Sequence, residues 1–207
     1  MTGKPIAPAA ERNTVAILDV LRTEFANLED VLEIGSGTGQ HAVAFAQAMP
    51  QLAWQTSDLN ANHPGISAWI ADAGLPNVRK PLVLDVLTAE LPAANYDAVF
   101  SANTAHIMGY PAVEKMFALV AATLRDSGRF CLYGPFREGG AFSTESNAEF
   151  HRSLVARNVG MGIRDLEALD ELAAQGGMRR VRRYAMPANN LLVVWQKGTA
   201  EQGNDSS

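Results

Sequence analysis

The sequence holds a single cysteine, Cys131. One thiol cannot close an internal disulfide or build a multi-cysteine metal cluster. It stands inside the apolar run RFCLYGPF (129–136) and reads as a buried structural thiol. Positive charge is also scarce: 17 Lys and Arg stand against 22 Asp and Glu, a net −5. Nucleic-acid backbones recruit basic faces, so the bulk charge argues against a DNA or RNA partner. No apolar run approaches the roughly 20 residues that span a bilayer. No segment near the N-terminus joins a basic start to an apolar core, as a secretion signal does. Repeats and low-complexity tracts are missing as well. His41, His63 and His151 have no cysteine or carboxylate at ligand spacing, so no metal site is expected. The expectation is a cytoplasmic protein with no membrane contact.

What the chain does have is apolar residues, 47% of the total, enough for a sizeable core. A single domain is expected over 1–197. Residues 1–10 (MTGKPIAPAA) read as a flexible arm, and 198–207 (GTAEQGNDSS) as a disordered tail. Between them, periodicity alternates. Val15, Leu18, Leu21, Phe25 and Leu28 predict a helix over 14–28, and further helices are expected at 40–49, 65–73, 111–124, 147–155 and 163–175. Strands are expected at 30–34, 52–57, 81–86, 96–101 and 129–133, then as an antiparallel pair at 178–185 and 190–196. This order predicts an α/β, Rossmann-like fold. Its seven-stranded sheet is mostly parallel, with helices on both faces and a C-terminal antiparallel hairpin.

The most informative stretch is VLEIGSGTGQH (31–41). A P-loop would need a lysine that is absent here. The dinucleotide fingerprint GxGxxG is met by Gly35 and Gly37, but Gln40 takes the third place and the third glycine comes one residue early, at Gly39. What remains is an apolar strand, an acid (Glu33) and GxGxG. That pattern resembles motif I of the class I S-adenosylmethionine (SAM) methyltransferases. SAM carries a cationic sulfonium and no phosphate, so an acid and close backbone approach suit it better than a lysine.

The resemblance implies further positions, each at a strand's carboxyl end, where open α/β sheets bind ligands. Gly35, Ser36 and Gly37 form the loop. Asp58 and Leu59 end the second strand, where a carboxylate accepts ribose hydroxyls. Asp85 and Val86 close the third, for the adenine. Asn103 follows the fourth, where the methyl group points.

Five further runs, PAAERN (8–13), YGPF (133–136), ESN (145–147), GIRD (162–165) and MPANN (186–190), resemble a family of small methyltransferase-like proteins. It is catalogued as the domain of unknown function 938 and includes the animal methyltransferase-like 26 proteins. The resemblance spans residues 7–197. It implies the methyltransferase fold and no particular substrate. After the fourth strand, members often carry Asn-Met-Ile-His-Ile and then Ser-Pro-Trp. Here the chain reads ANTAHIMGYPAVEKM (102–116), which keeps Asn103 and His106 but has Tyr110 as its aromatic. The acceptor is therefore expected to differ from that of typical members.

Several residues carry two open readings. Glu11 and Asn13 suit a helix start, whereas Arg12 does not, and its cation could meet a carboxylate of SAM or of the acceptor. His106 could act as an acid–base group or position substrate by hydrogen bonding. Tyr133 could face the pocket or sit in the core with a bonded tip. Glu145, Ser146 and Asn147 could cap a helix or belong to a lid. Asn189 and Asn190 suit a hairpin turn. Arg179, Arg180, Arg182 and Arg183 suit a charged sheet edge, or else an anionic partner.

The expected activity is SAM-dependent methyl transfer to a small-molecule acceptor, with Asn103, His106 and Tyr133 at the reacting centre and Arg12 and Asn13 beside the cofactor. Three rivals stay open: cleavage of another C–S bond releasing methylthioadenosine, SAM binding without catalysis, and a dehydrogenase. No acceptor atom or oligomeric state is assigned.

Overall fold

The computed structural model describes residues 4–89 and 95–199. Most of the expected tail, from residue 200 on, lies outside the described residues, as do residues 1–3 of the expected arm. The main sheet has seven strands in the order β3-β2-β1-β4-β5-β10-β9. They are β1 (Asp30–Ile34), β2 (Ala53–Asp58), β3 (Val78–Val83), β4 (Tyr96–Ala102), β5 (Leu124–Gly134), β9 (Met178–Met186) and β10 (Asn190–Lys197). The first five pair in parallel, and β10 runs antiparallel to both β5 and β9. The expected mostly parallel sheet with a terminal hairpin is what forms.

The central strands are apolar almost throughout because both faces are covered. On one face α1 (Pro8–Glu24) and α2 (Gln40–Ala48) pack Ile17, Leu21 and Phe45 onto Val31, Trp54, Phe100 and Val194. Phe45, Trp54 and Phe100 meet there at centroid distances of 5.5 to 6.0 Å. On the other face α4 (Tyr110–Thr123) and α6 (Leu166–Gln175) bring Phe117 and Leu169 against Phe130 and Trp195. Cys131 is buried in the first of these layers, as expected of a structural thiol. No helix among the described residues is long and apolar enough to cross a membrane.

Three expectations shift. The arm is not loose: α1 already begins at Pro8, and residues 4–7 are seated on the neighbouring helices. Lys4 pairs with Asp72 and lies 4.3 Å over the Trp69 ring, whose Nε1 donates to the Pro5 carbonyl at 2.8 Å; both partners belong to α3 (His63–Ala73). The Ala7 amide donates to Gln40 Oε1 at 2.5 Å. Next, β3 starts at Val78 and ends before Asp85. Pro81 has no N–H to donate, so it is accommodated on this edge strand at an irregularity opposite Gln55 to Ser57.

Finally, a second, three-stranded sheet of β6 (Phe136–Glu138), β7 (Ala141–Phe142) and β8 (Arg164–Asp165) was not expected. Asp165 caps α6, so that helix starts at Leu166 and not at Ile163. Between β7 and β8 runs α5 (Glu145–Arg157), capped by the Thr144 side chain and not by the residues of the ESN run.

The arginines of β9 are not simply a solvated edge. Trp195 pairs with Arg180 and Val194 with Arg182, so Val181 is an inserted residue that breaks the alternation of faces. Arg180 therefore reaches Asp170 of α6 at 3.0 Å, while Arg182 reaches Glu24 of α1 on the opposite side. Glu24 is 1% exposed, and Arg182 Nε and Nη2 bond its two oxygens at 2.5 and 2.7 Å. Burial alone would raise the Glu24 pKa, but Arg182, the Tyr184 hydroxyl and Arg129 outweigh it and hold the carboxyl below the usual range. Arg182→Ala is expected to lower stability by about 2 kcal/mol in denaturant unfolding. That is less than a fully buried pair costs, because Arg182 is 43% exposed and Arg129 remains.

Candidate active site

The strand ends of β1, β2 and β4 converge on the turn that follows β1. Gly35 and Gly37 have φ of 73° and 58°, a region side chains rarely adopt. A Cβ on Gly35 would stand 2.6 Å from Thr104 Cγ2, so the β4 turn packs against bare backbone. A Cβ on Gly37 would meet nothing within 4 Å, because this residue borders open space. Ser101 Oγ donates to the Ile34 carbonyl at 2.7 Å and bonds Thr104 Oγ1 at 2.7 Å, which locks the two turns together.

A cavity of about 410 Å³ lies above these ends, within the usual range of roughly 300–1,000 Å³ for small-molecule sites. Gly35, Gly37, Asp58, Leu59, Asp85, Val86 and Asn103 all line it, drawn from four separate loops. Sequence reasoning missed Asn62 and Leu84, which line it too, and marked the segment of Thr104, Ile107, Met108 and Ala112 without singling out these residues, which also line it. Asn62 carried a readable signal, since it lies one helical turn past Asp58; the apolar ones carried none that separates lining from core.

Asp58 is held firmly. Its Oδ2 accepts from the Gly37 amide at 2.7 Å, and its Oδ1 accepts from the Leu59 amide at 2.7 Å and from Asn62 Nδ2 at 2.8 Å. A carboxylate offers about four lone-pair sites, so one stays free and a second opens when Asn62 lets go. Asp85 stands two residues past β3, a correction to its expected place at the strand end. Its Oδ1 accepts from the Leu87 amide at 3.0 Å. Asn103 adopts φ of 60°, a left-handed conformation that Asn tolerates, and its amide donates to the Tyr133 carbonyl at 2.9 Å.

Glu33 and Ser36 sit behind the loop and do not line the cavity. Glu33 is 2% exposed, accepts from Trp54 Nε1 at 3.1 Å and is hydrogen-bonded by Ser36. Burial pushes its pKa up to about 7, with Asp58 adding to the rise. Asn13 and Tyr133 are also set back. Asn13 Oδ1 meets His41 Nε2 at 2.7 Å, and the Tyr133 hydroxyl bonds Asn13 and Asn190. Tyr133 is thus a buried link between α1, β5 and β10, and its carbonyl fixes Asn103. Arg12 is exposed on α1.

His106 is buried under Phe150, 5.4 Å between ring centroids, and is not part of the cavity lining. Burial, with the nearby Arg164 charge, lowers its pKa to about 4. Both causes favour the neutral ring.

Among the described residues the lining contains two carboxylates, Asp58 and Asp85, and no Lys or Arg. The loop amides are also engaged: Gly35 and Ser36 donate to the Ser57 carbonyl, Gly37 to Asp58, and Gly39 to the Ser36 carbonyl. Among the described residues a pyrophosphate finds no cation in this lining and most of the loop amides already bonded, which counts against the dinucleotide reading. The donor set suits a ligand with hydroxyls, a flat apolar part and positive charge.

Residues 4–197 match the model of the family described as protein of unknown function DUF938. The chain belongs to the DUF938 family. Its fold is shared with solved methyltransferases at low identity. The apo crystal structure of the SAM-dependent methyltransferase SibL superposes with a TM-score of 0.76 at 21% identity, over 92% of this chain and 56% of that one. An O-methyltransferase family protein from Burkholderia thailandensis gives 0.79 at 15%, over 93% and 58%. The O-methyltransferase NcsB1 from neocarzinostatin biosynthesis, solved with SAM and 2-hydroxy-5-methyl naphthoic acid, gives 0.75 at 18%, over 92% and 55%. The DUF938 chain thus spans little more than half the length of these structures, and at such identities the likeness establishes the fold.

The raised pKa of Glu33 has a measurable consequence. Between its ordinary value of 4.5 and about 7 the folded state holds a proton that the unfolded state releases. Stability is therefore greatest below 4.5 as far as Glu33 is concerned, falls as pH rises, and levels off above 7, a loss on the order of 3 kcal/mol. Glu33→Gln should remove this part of the pH dependence in thermal melts of the ligand-free protein.

Proposed function

We propose that this DUF938 protein is a SAM-dependent methyltransferase acting on a small-molecule acceptor in the cytoplasm, with residues 1–197 as one SAM-binding domain. One observation carries the reading: the clamped Asp58, the open Gly37, and Asp85 with Val86 border a single cavity that offers carboxylates and no cation. Bound there, SAM supplies a methyl group on a cationic sulfonium to an acceptor nucleophile. Asp58 receives the ribose hydroxyls, the second as Asn62 withdraws. Val86 and Leu84 give the adenine an apolar wall, and Asp85 keeps its Oδ2 for the amino group. Glu33 and Ser36 shape the loop from behind, and the Glu33 carboxylate supplies negative charge beneath a cationic ligand.

Asn103 faces the cavity at the point where β4 ends, so the acceptor approaches beside it. Asn13 and Tyr133 act as positioning residues through the network that fixes Asn103, and Arg12 stands free at the helix start to meet a carboxylate. His106, neutral and a weak base, is better suited to orienting an acceptor by hydrogen bonding than to holding its proton. That is compatible with methyl transfer, where alignment supplies much of the rate.

Asp58→Asn is expected to weaken SAM binding by at least about tenfold in calorimetry, the effect of one charge-assisted hydrogen bond. Mass spectrometry of the protein with SAM and a metabolite extract should detect S-adenosylhomocysteine only when extract is present. Methylthioadenosine formed without extract would overturn methyl transfer in favour of another C–S cleavage.

A further inference from the structure

YGPF, ESN and MPANN contribute no lining to the cofactor cavity, yet they converge on one place. A second cavity, of about 390 Å³, opens at the same end of the sheet. Its size also suits a small-molecule site, for which roughly 300–1,000 Å³ is usual. Phe136 of YGPF and Met186, Asn189 and Asn190 of MPANN line it, together with Phe142 and Leu191. Asn147 of ESN stands behind the lining. Its Nδ2 donates to Ser143 Oγ at 3.0 Å and to the Asn189 carbonyl at 3.1 Å, which clasps the start of α5 to the β9–β10 turn. That turn needs holding, because Ala188 and Asn189 both take φ of 57°, a left-handed region costly for alanine.

Much of the polar lining is already engaged. Asn190 Nδ2 donates to the Pro187 carbonyl at 3.1 Å, and Thr144 Oγ1 accepts from the Asn147 amide at 3.3 Å. Among the described residues the one charged group of the lining is Glu138, and it pairs with Arg183, which lies outside the lining. A charged ligand would therefore give up hydration without gaining a free counter-charge. What the cavity offers instead is the rings of Phe136 and Phe142 and the Met186 thioether, surfaces that favour an aromatic ligand.

The two cavities are neighbours along the sheet edge. Asn103 follows β4, Gly134 ends β5, and Leu191 stands opposite Gly134 at the start of β10. Two strand spacings, about 10 Å, separate Asn103 from Leu191. The strand end between them is bare. The His106 ring lies against Gly134, where a Cβ would stand 3.7 Å from Nδ1. His106 is 7% exposed, and no described residue hydrogen-bonds its ring nitrogens. Buried polar groups are normally paired, so an unbonded imidazole between two cavities is a place for a ligand's polar group.

Resting on the methyltransferase reading, we propose that the second cavity is the acceptor site and that it takes an uncharged aromatic molecule. The ring system lies among Phe136, Phe142 and Met186, and the polar end passes Gly134 toward Asn103, beside His106. An anion would meet the Glu138 carboxylate and no cation in the lining, and an ammonium would meet a carboxylate that Arg183 already satisfies.

The test titrates four probes into the full chain by NMR, with and without S-adenosylhomocysteine: 2-naphthol, 2-naphthoate, 2-naphthylmethylammonium and the saturated decahydro-2-naphthol. The uncharged aromatic should bind at least about tenfold tighter than either ion and about threefold tighter than the saturated alcohol. Overhauser contacts should run from its ring to Leu191 and from its hydroxyl end to His106. Ala185→Phe and Ala141→Phe fill the cavity from two different strands, and should weaken 2-naphthol at least about tenfold while S-adenosylhomocysteine binds as it does to the wild type. No binding of 2-naphthol, a preference for either ion or for the saturated alcohol, contacts to Leu191 without His106, or binding undiminished in both filled variants would each overturn the proposal. Failure of S-adenosylhomocysteine to bind the wild type would instead defeat the methyltransferase reading, and the titration without it would still judge what the second cavity binds.

Discussion

The contact on which the site depends is the one between Gly35 and Thr104. The end of β1 can approach the β4 turn only because residue 35 has no Cβ. Ser101 then reaches both the Ile34 carbonyl and the Thr104 hydroxyl, so two loops from different strands behave as one rigid piece. Gly37, Asp58 and Asn103 inherit their places from that piece. So does the backbone of residues 105–108, which Arg164 binds from the other side. A packing constraint at one glycine therefore sets the cavity above the strand ends and the turn that Arg164 grips.

Charge is sorted by sign across this turn. Carboxylates lie on one side, with Glu33 buried deeply enough that it titrates at about 7 when nothing cationic is near. Guanidinium groups lie on the other, and burial together with their charge keeps His106 and His151 neutral more readily than in water. Two unit charges 4 Å apart interact by about 4 kcal/mol at an effective dielectric constant of 20. Burial thus decides the charge state on each side: it raises the pKa of the Glu33 carboxyl and lowers those of the two imidazoles.

Much of this was legible in the sequence where the signal is local. The glycine loop, the acids after each strand and the apolar runs each need only a few neighbours to be read, and the mostly parallel sheet with its terminal hairpin followed from their alternation. What escaped depends on distant partners. Nothing near Glu24 indicates that Arg182, far along the chain, makes it a buried anion. The inserted Val181 that sends Arg180 and Arg182 to opposite faces is invisible to a rule of strict alternation. Pro81 is tolerated inside β3 because that strand lies at an edge, a fact of topology and not of composition. Tyr133 and His106 each carried two readings from residue type, and only their burial, which depends on distant elements, bears on the choice between them.

The same reasoning explains how the segment after β4 can depart from the family resemblance without losing its shape. Arg164, within a motif that the chain keeps, bonds carbonyls of Ala105, Met108 and Gly160. A carbonyl is present whatever the side chain, so the turn is held independently of the residues that fill it. Ile107 and Met108 are then free to vary, and both line the cofactor cavity. Tyr110 stands over the Arg164 guanidinium at 5.8 Å, where any aromatic would serve. The shape of the turn resides in backbone contacts, which leaves the side chains they support free to differ.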